Sequence, residues 1–557
     1  MVRRALSLMY SEVRGLHQAA YLLALFALGS QVLAVIRDRT LAHTFGAGTE
    51  LDVYYAAFRV PDLLYVIFVS VLSVYVLLPF VERARVAGGD RAAARVLGQC
   101  FTVFVLAYTT AAGLLLLLAP YLTPWLFPGL SEHSERLTTL LQILLLQPLL
   151  LGISTICSVV TQAERRFVIY AISPLLYNIG IITGVVVFYP ILGLSGLAVG
   201  VVLGAIGHVL VQVPLLVRST LSFSFVRRVD WGLMREIVVA ALPRAATLSI
   251  HQLVLFVLIG MATTMAAGSV AVFQFAYNLQ SVPLVIIGMS YSVAAFPMLA
   301  AFIAKNDHDS FNDHVLSALR HIIFWSLPII GLVVVLRAQL VRALYGTGSF
   351  DWSDTRLTAA VLAMFIISLW GQSILLLLVR AFYAAGKMVT PLMVAVGTAT
   401  LTIGAAVALR IHADDAAWRS FWEVVFRLSG VPGTEVLALA SAFTVGIMLE
   451  AVLLLYLFRR TFGLSVRSLG RLLFQASVAS GMGAVAAYLT LNFVVDGVNQ
   501  ERFVGIVLQG VSAGLTGLVT IVLAYAVMRS RELLELYQSL RARIFKAPVI
   551  APQQDTL

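Results

Sequence analysis

The sequence is short of charge, of cysteine and of clustered acids. Of 557 residues only 12% are Asp, Glu, Lys or Arg, about half the share in a soluble globular protein. That excludes a water-soluble protein of ordinary composition. Two cysteines, Cys100 and Cys157, both in apolar surroundings, exclude a disulfide framework, a CxxC redox pair and a zinc-ligand spacing. No metal site is assigned. The one adjacent acidic pair, Asp414-Asp415, reads as solvated loop charge, and a polytopic transferase would need clustered acids at a membrane face. No catalytic residue is therefore assigned, and the chain is read as a non-enzyme. Walker A and other phosphate-cradling loops are missing, so P-loop nucleotide hydrolysis has no site. The net charge of +11 is divided among loops and forms no groove, which argues against nucleic acid.

What is abundant is apolar sequence, 60% of the chain with a mean hydropathy of +0.95. A helix needs about 20 mainly apolar residues to cross the hydrocarbon core. That window predicts an all-α integral membrane protein with 14 spans. They fall at 16–36, 55–79, 97–119, 138–161, 168–188, 193–217, 238–262, 270–299, 316–336, 357–380, 391–410, 436–458, 473–493 and 503–527. The first is too long for a signal h-region, and no cleavage site precedes Arg37 and Asp38. With the N-terminus in the cytoplasm, alternate loops place 27 of the 38 Lys and Arg on the inner side, as the positive-inside rule requires. Both termini are then cytoplasmic. The inner set includes Arg3, Arg4, Arg14, Arg83, Arg91, Arg165, Arg320, Lys387, Arg459, Arg529 and Lys546.

An internal repeat runs through the chain. Ala47-Gly48, Val60-Pro61, Pro79, Arg136-Leu137-Thr138 and Ser173-Pro174 recur as Ala267-Gly268, Val282-Pro283, Pro297, Arg356-Leu357-Thr358 and Thr390-Pro391. The offset stays near about 220 residues, and the steady offset carries the argument rather than any one pair. Six helices separate the copies, so both share one orientation. The expected organisation is an N-lobe at 1–220, a C-lobe at 221–471, an added helical pair at 472–528 and a basic cytoplasmic tail at 529–557. Two such lobes suit alternating access around a midplane site. The tail to Lys546 has the pattern of an amphipathic helix on anionic membrane lipid, and a disordered end is expected from Ala547.

Ionisable groups within spans are costly and default to functional hypotheses. Few exist. Glu450, deep in the twelfth window, is either a proton or cation carrier or a partner for another helix. Arg244 is either a site residue or a cation snorkelling at a helix end. His208 reads as a hydrogen-bonded packing residue. Arg59 and Asp62 open the second window, and His251 lies in the seventh.

The stretch 35–64, which contains Arg37-Asp38, Asp52 and Arg59-Val60-Pro61, resembles the MurJ/MviN family of lipid II flippases, within the superfamily of multidrug and oligosaccharidyl-lipid exporters. Ser173-Pro174-Leu175-Leu176-Tyr177-Asn178-Ile179-Gly180, Gln212-Val213-Pro214, Leu344 to Asp351 and Arg380 to Gly386 match as well. The resemblance covers about residues 25 to 400. It implies a fourteen-helix fold with a cationic central cavity and a groove at helices 13 and 14 for a polyprenyl tail. The implied substrate is an undecaprenyl-pyrophosphate-linked disaccharide-pentapeptide, flipped to the outer leaflet of the bacterial cytoplasmic membrane for peptidoglycan synthesis and cell shape. The implied energy source is an ion gradient or the membrane potential, with no cofactor, and cell-wall synthesis machinery is a further partner. A pyrophosphate of about two negative charges suits arginine forks. By position in the motif, Arg37 and Arg59 are the expected phosphate-facing cations, and Asp38 and Asp52 hold the loop or outer gate.

The chain also departs from that family. Gln31 stands where the family has arginine, Tyr65-Val66 replaces an arginine pair, and Ala276-Tyr277-Asn278 replaces Ala-Asp-Arg. Recognition would then rest on Gln31, Asn278, Gln280 and Arg244 beside Arg37 and Arg59. Two alternatives stand here: a flippase for another polyprenyl-linked oligosaccharide, and a non-transporting member.

Overall fold

The computed structural model describes residues 16–164, 166–413, 415–465, 467–494 and 503–544. Arg3, Arg4, Arg14, Arg165, Asp414, Lys546 and the end from Ala547 lie outside them. Among the described residues the regular structure is helical throughout. Eleven helices are long and apolar enough to cross a membrane. Trp352–Ile367 and Leu369–Ala384, bent by 41° at their joint, form a twelfth span if taken together.

The other two predicted windows, 16–36 and 55–79, fall on Leu16–Phe45 and on a broken element. In the latter, Thr49–Ala57 and Arg59–Val69 meet at Phe58, a turn occupies 70–73, and helix resumes at Val74. The break has local causes. Pro61 brings no N–H to the first turn of its helix, and Ser73 is extended, with ψ of 145°. From Val74 the helix runs to Leu126 through a kink at Gly88 and Gly89, where Gly89 takes φ of 71°. Such a value suits a residue without Cβ. Pro283 near the end of Ser269–Leu284 is followed directly by a π turn, Val285–Met289, one of the known responses to a lost backbone donor.

Two compact units emerge. The first comprises the described residues up to Val282 with Leu344–Phe365 and Met388–Leu449. Its core lies around Leu77, Leu97, Phe104, Tyr108, Ile156 and Val159. Leu194–Leu210 packs on Phe167–Thr183 through glycines. A Cβ at Gly180 would lie 2.3 Å from the Gly204 Cα, and one at Gly200 would lie 2.3 Å from the Gly184 Cα. Small residues let membrane helices approach to backbone contact and gain dispersion, where hydrocarbon offers no hydrophobic drive. The repeat has a geometric counterpart here. Gly129 packs on the Thr263 carbonyl and Gly348 on the His43 carbonyl, so both members of the contact recur after about 220 residues.

The second unit comprises Pro283–Ala343, Ile366–Lys387 and the described residues from Glu450. Arg467–Leu489 packs along Phe503–Val527, and Ala487, Leu491 and Ala513 form a buried cluster with Leu336 of His308–Tyr345. The Ser480 hydroxyl donates to the Leu327 carbonyl at 2.8 Å, and the Tyr525 hydroxyl to the Phe324 carbonyl at 2.9 Å. Leu515, Leu518, Val519, Val522 and Leu523 are exposed, an apolar face suited to lipid rather than water. The short helix Arg531–Ile544 is held by Arg320, whose Nη2 lies 2.6 Å from Glu532, and His321 Nε2 lies 3.3 Å from Glu535. Burial opposes ionisation of Glu532. Hydrogen bonds from Ser530, its own backbone and Arg320 outweigh it and hold the carboxyl below its ordinary range.

Candidate functional site

Arg37 and Asp38 sit in the latter half of Leu16–Phe45, where consecutive helical positions place two charges on adjoining faces. Arg37 folds back on its neighbour. Its Nε donates to Asp38 Oδ1 at 2.8 Å, and Nη2 lies 2.8 Å from the same oxygen. Its Nη1 donates to Asn178 Oδ1 at 3.1 Å. Asp38, 3% exposed, accepts a second bond at Oδ2 from Asn278 Nδ2 at 3.0 Å.

The network continues along one face of Ser269–Leu284. Gln274 and Asn278 are four residues apart, hence one above the other, and Gln274 Nε2 donates to Asn278 Oδ1 at 2.6 Å. Arg59 Nη2 in turn donates to Gln274 Oε1 at 2.8 Å, while its Nε donates to the Tyr55 carbonyl at 3.2 Å. Two amides thus bridge a buried guanidinium and a buried carboxylate, with both amide dipoles pointing the same way. Such aligned bonds polarise one another in a low-dielectric interior.

Two cavities flank this network and share Arg37, Tyr177 and Asn278. One, of about 240 Å³, also takes in Gln31, Asp38, Asn178 and Tyr345. The other, of about 200 Å³, takes in Tyr54, Tyr55, Arg59, Asp62 and Gln274. The charged lining is Arg37 and Arg59 against Asp38 and Asp62. The cavity is formally balanced, unlike the cationic one that the resemblance implies.

Four of the expected binding residues, Gln31, Arg37, Arg59 and Asn278, meet at this lining. Arg244 does not line it; its Nη1 donates to the Ser73 hydroxyl at 3.3 Å. Gln280 is buried in Ser269–Leu284 and lines neither cavity, and among the described residues neither of its amide atoms has a hydrogen-bond partner. Asp52 serves the backbone. Its Oδ2 accepts from the Gly268 N–H at 2.6 Å and its Oδ1 from the Ala271 N–H at 2.8 Å, capping the Ser269–Leu284 helix from another segment. Glu450 is buried in Val436–Phe462 and lines neither cavity. His208 is hydrogen-bonded to Ser154, 2.6 Å from the hydroxyl to Nδ1. Sequence reasoning passed over Gln274 and Asn178. The i, i+4 spacing of Gln274 and Asn278 was a usable signal, whereas Asn178 reaches Arg37 across 141 residues that no local pattern connects.

A helical membrane bundle with a charged internal cavity is the build of a polytopic carrier, and solved structures share the fold. A multidrug resistance MATE family transporter of the MOP superfamily matches with a TM-score of 0.63 at 14% identity, covering 78% of this chain and 94% of its own. A lipid II flippase MurJ in an inward closed conformation matches with a TM-score of 0.69 at 21% identity, covering 91% and 99%. The family model described as lipid II flippase MurJ matches residues 41–509. The chain belongs to that family. Relatives include the lipid II flippase MurJ of Burkholderia cenocepacia, 24% identical over 68% of this chain and 75% of its own. The probable lipid II flippase MurJ of Buchnera aphidicola subsp. Schizaphis graminum is 26% identical over 68% and 74%.

Proposed function

We propose that this protein is a lipid II flippase of the bacterial inner membrane, moving the polyprenyl-pyrophosphate-linked peptidoglycan precursor from the inner to the outer leaflet. Membership of the MurJ family carries the reading, and the meeting of Arg37 and Arg59 at one cavity supports it. In this reading 14 spans form two six-helix lobes, 1–220 and 221–471, which rock about the Arg37–Arg59 network, while 472–528 receives the polyprenyl tail. Both termini are cytoplasmic. Arg37 and Arg59 take the pyrophosphate, with Gln31 and Asn278 beside them. Arg244 and Gln280 support the lining, and Asp38 and Asp52 hold the gate.

The membrane potential is a sufficient drive in kind. Each negative charge moved outward gains about 2.3 kcal/mol per 100 mV. Glu450 remains a proposed ion-coupling group, and cell-wall synthesis machinery a proposed partner. Another lipid-linked glycan has no comparable support among the relatives, whose names specify lipid II.

The test is replacement of the native flippase in a depleted bacterium. Growth and outward exposure of lipid II are expected to be sustained. Arg37→Ala or Arg59→Ala, at normal protein level, is expected to lower exposure by at least tenfold. Failure of the unaltered protein while present in the membrane would overturn the reading.

A further inference from the structure

The two carboxylates of the cavity differ in how they are held. Asp38 accepts from Arg37 on one oxygen and Asn278 on the other, so its negative charge is satisfied. Asp62, half-buried in the first turn of Arg59–Val69, lines the 200 Å³ cavity. Among the described residues its carboxylate accepts no hydrogen bond and closes no ion pair within 4.0 Å. Arg59, three residues earlier on the same helix, lines the cavity with it.

Tyr54, Tyr55, Tyr177 and Arg37 line the same cavity as Asp62. The Trp231–Ala262 helix packed on this segment carries Arg244, bonded to Ser73, and His251, whose Nδ1 meets the Thr247 carbonyl at 2.9 Å. The Tyr55 hydroxyl, on a residue only 7% exposed at this cavity, has no hydrogen-bond partner among the described residues.

Arg59 commits Nε to Tyr55 and one Nη2 hydrogen to Gln274. Its remaining N–H groups are the donors left for an anion. A pyrophosphate that engages them draws on a cation that shares the cavity with Asp62 and puts negative charge in the same small space. Like charges at short range in a poorly solvated site disfavour the second ionisation. Asp38 cannot readily yield, because protonation would cost it the Arg37 bonds. Asp62 has no such bonds to lose.

From this asymmetry we infer that Asp62 is a proton-binding site coupled to substrate, taking one proton from solvent onto its carboxylate as the anionic headgroup engages Arg59. Linkage makes the effect reciprocal: protonation of Asp62 frees Arg59 and strengthens anion binding by the same factor. The proton offsets one of the incoming negative charges, so a formally balanced cavity can admit a pyrophosphate. The Tyr55 hydroxyl is a further donor to the anion. The inference rests on the flippase reading and specifies how its site accommodates charge.

The experiment is calorimetric titration of the purified full-length protein with undecaprenyl pyrophosphate, in two buffers of different ionisation enthalpy and at several pH values. The unaltered protein is expected to take up close to one proton per pyrophosphate bound. Its affinity should fall by up to about tenfold per pH unit once Asp62 is ionised in the free protein. Asp62→Asn should bind with no proton uptake and an affinity flat in pH. Infrared difference spectra should show a protonated carboxyl band on binding in the unaltered protein that Asp62→Asn lacks. Binding without proton uptake, or equal uptake by Asp62→Asn, overturns this inference and leaves the flippase reading standing. No binding by the unaltered protein overturns the flippase reading, and this inference with it.

Discussion

Arg37 is worth more to the fold as a partner than as a cation. Its guanidinium holds Asp38 from the side and Asn178 across the unit, so its removal leaves a carboxylate that is 3% exposed with Asn278 as its remaining partner. Breaking a buried pair from one side costs about 3–5 kcal/mol, whereas removing both members can be close to neutral. Arg37→Ala is therefore expected to lower the thermal unfolding midpoint in detergent clearly, and Arg37→Ala with Asp38→Ala to recover most of the loss. A double variant no more stable than the single one would show that the pair is not the source of the cost. Arg59 differs, because its partners are a neutral amide and a backbone carbonyl. Its substitution should fall on transport more than on stability.

At the scale of elements, the Arg531–Ile544 helix is attached by side-chain charge. Glu532 is held below its ordinary carboxyl range by bonds it makes when docked. Its docking therefore contributes stability above the unfolded value of about 4.3, and loses it as pH falls through the lower folded value. The helix should gain protease sensitivity or hydrogen exchange in that acidic window and not at neutral pH. Arg320→Ala should produce the same release at pH 7, since it removes the 2.6 Å partner. The broken element at 49–73 illustrates the opposite case, in which backbone chemistry sets the shape. Pro61 and the turn at 70–73 interrupt what hydropathy reads as one continuous window, and the interruption presents Arg59 and Asp62 to the cavity.

For the whole molecule, the distribution of Lys and Arg yields a topology that labelling can check. Arg91 and Ser131 are both exposed, and the predicted alternation puts the first inside and the second outside. Cys100 and Cys157 are buried, so the native thiols give a quiet background. Arg91→Cys is expected to react with an impermeant reagent from the cytoplasmic side alone, and Ser131→Cys from the outer side alone. Reversal at either position would reject two cytoplasmic termini.

Composition and periodicity alone determined that this is a polytopic helical membrane protein. The hydrocarbon core imposes one length and one polarity on every crossing segment, and that constraint is written locally. Each of the 14 windows falls on helical segments, even where breaks and bends leave eleven or twelve qualifying spans. Punctuation at a constant offset was legible for the same reason, and the Gly129–Thr263 and Gly348–His43 contacts follow that offset. The site was legible only in part. Arg37, Arg59, Asp38 and Asn278 could be singled out, but their order along one hydrogen-bonded path could not. That path crosses between Leu16–Phe45, Arg59–Val69, Phe167–Thr183 and Ser269–Leu284. The tertiary structure decided that Asp38 is satisfied and Asp62 is not, because burial and hydrogen-bond partners depend on which helices meet, and no spacing within a single helix records that.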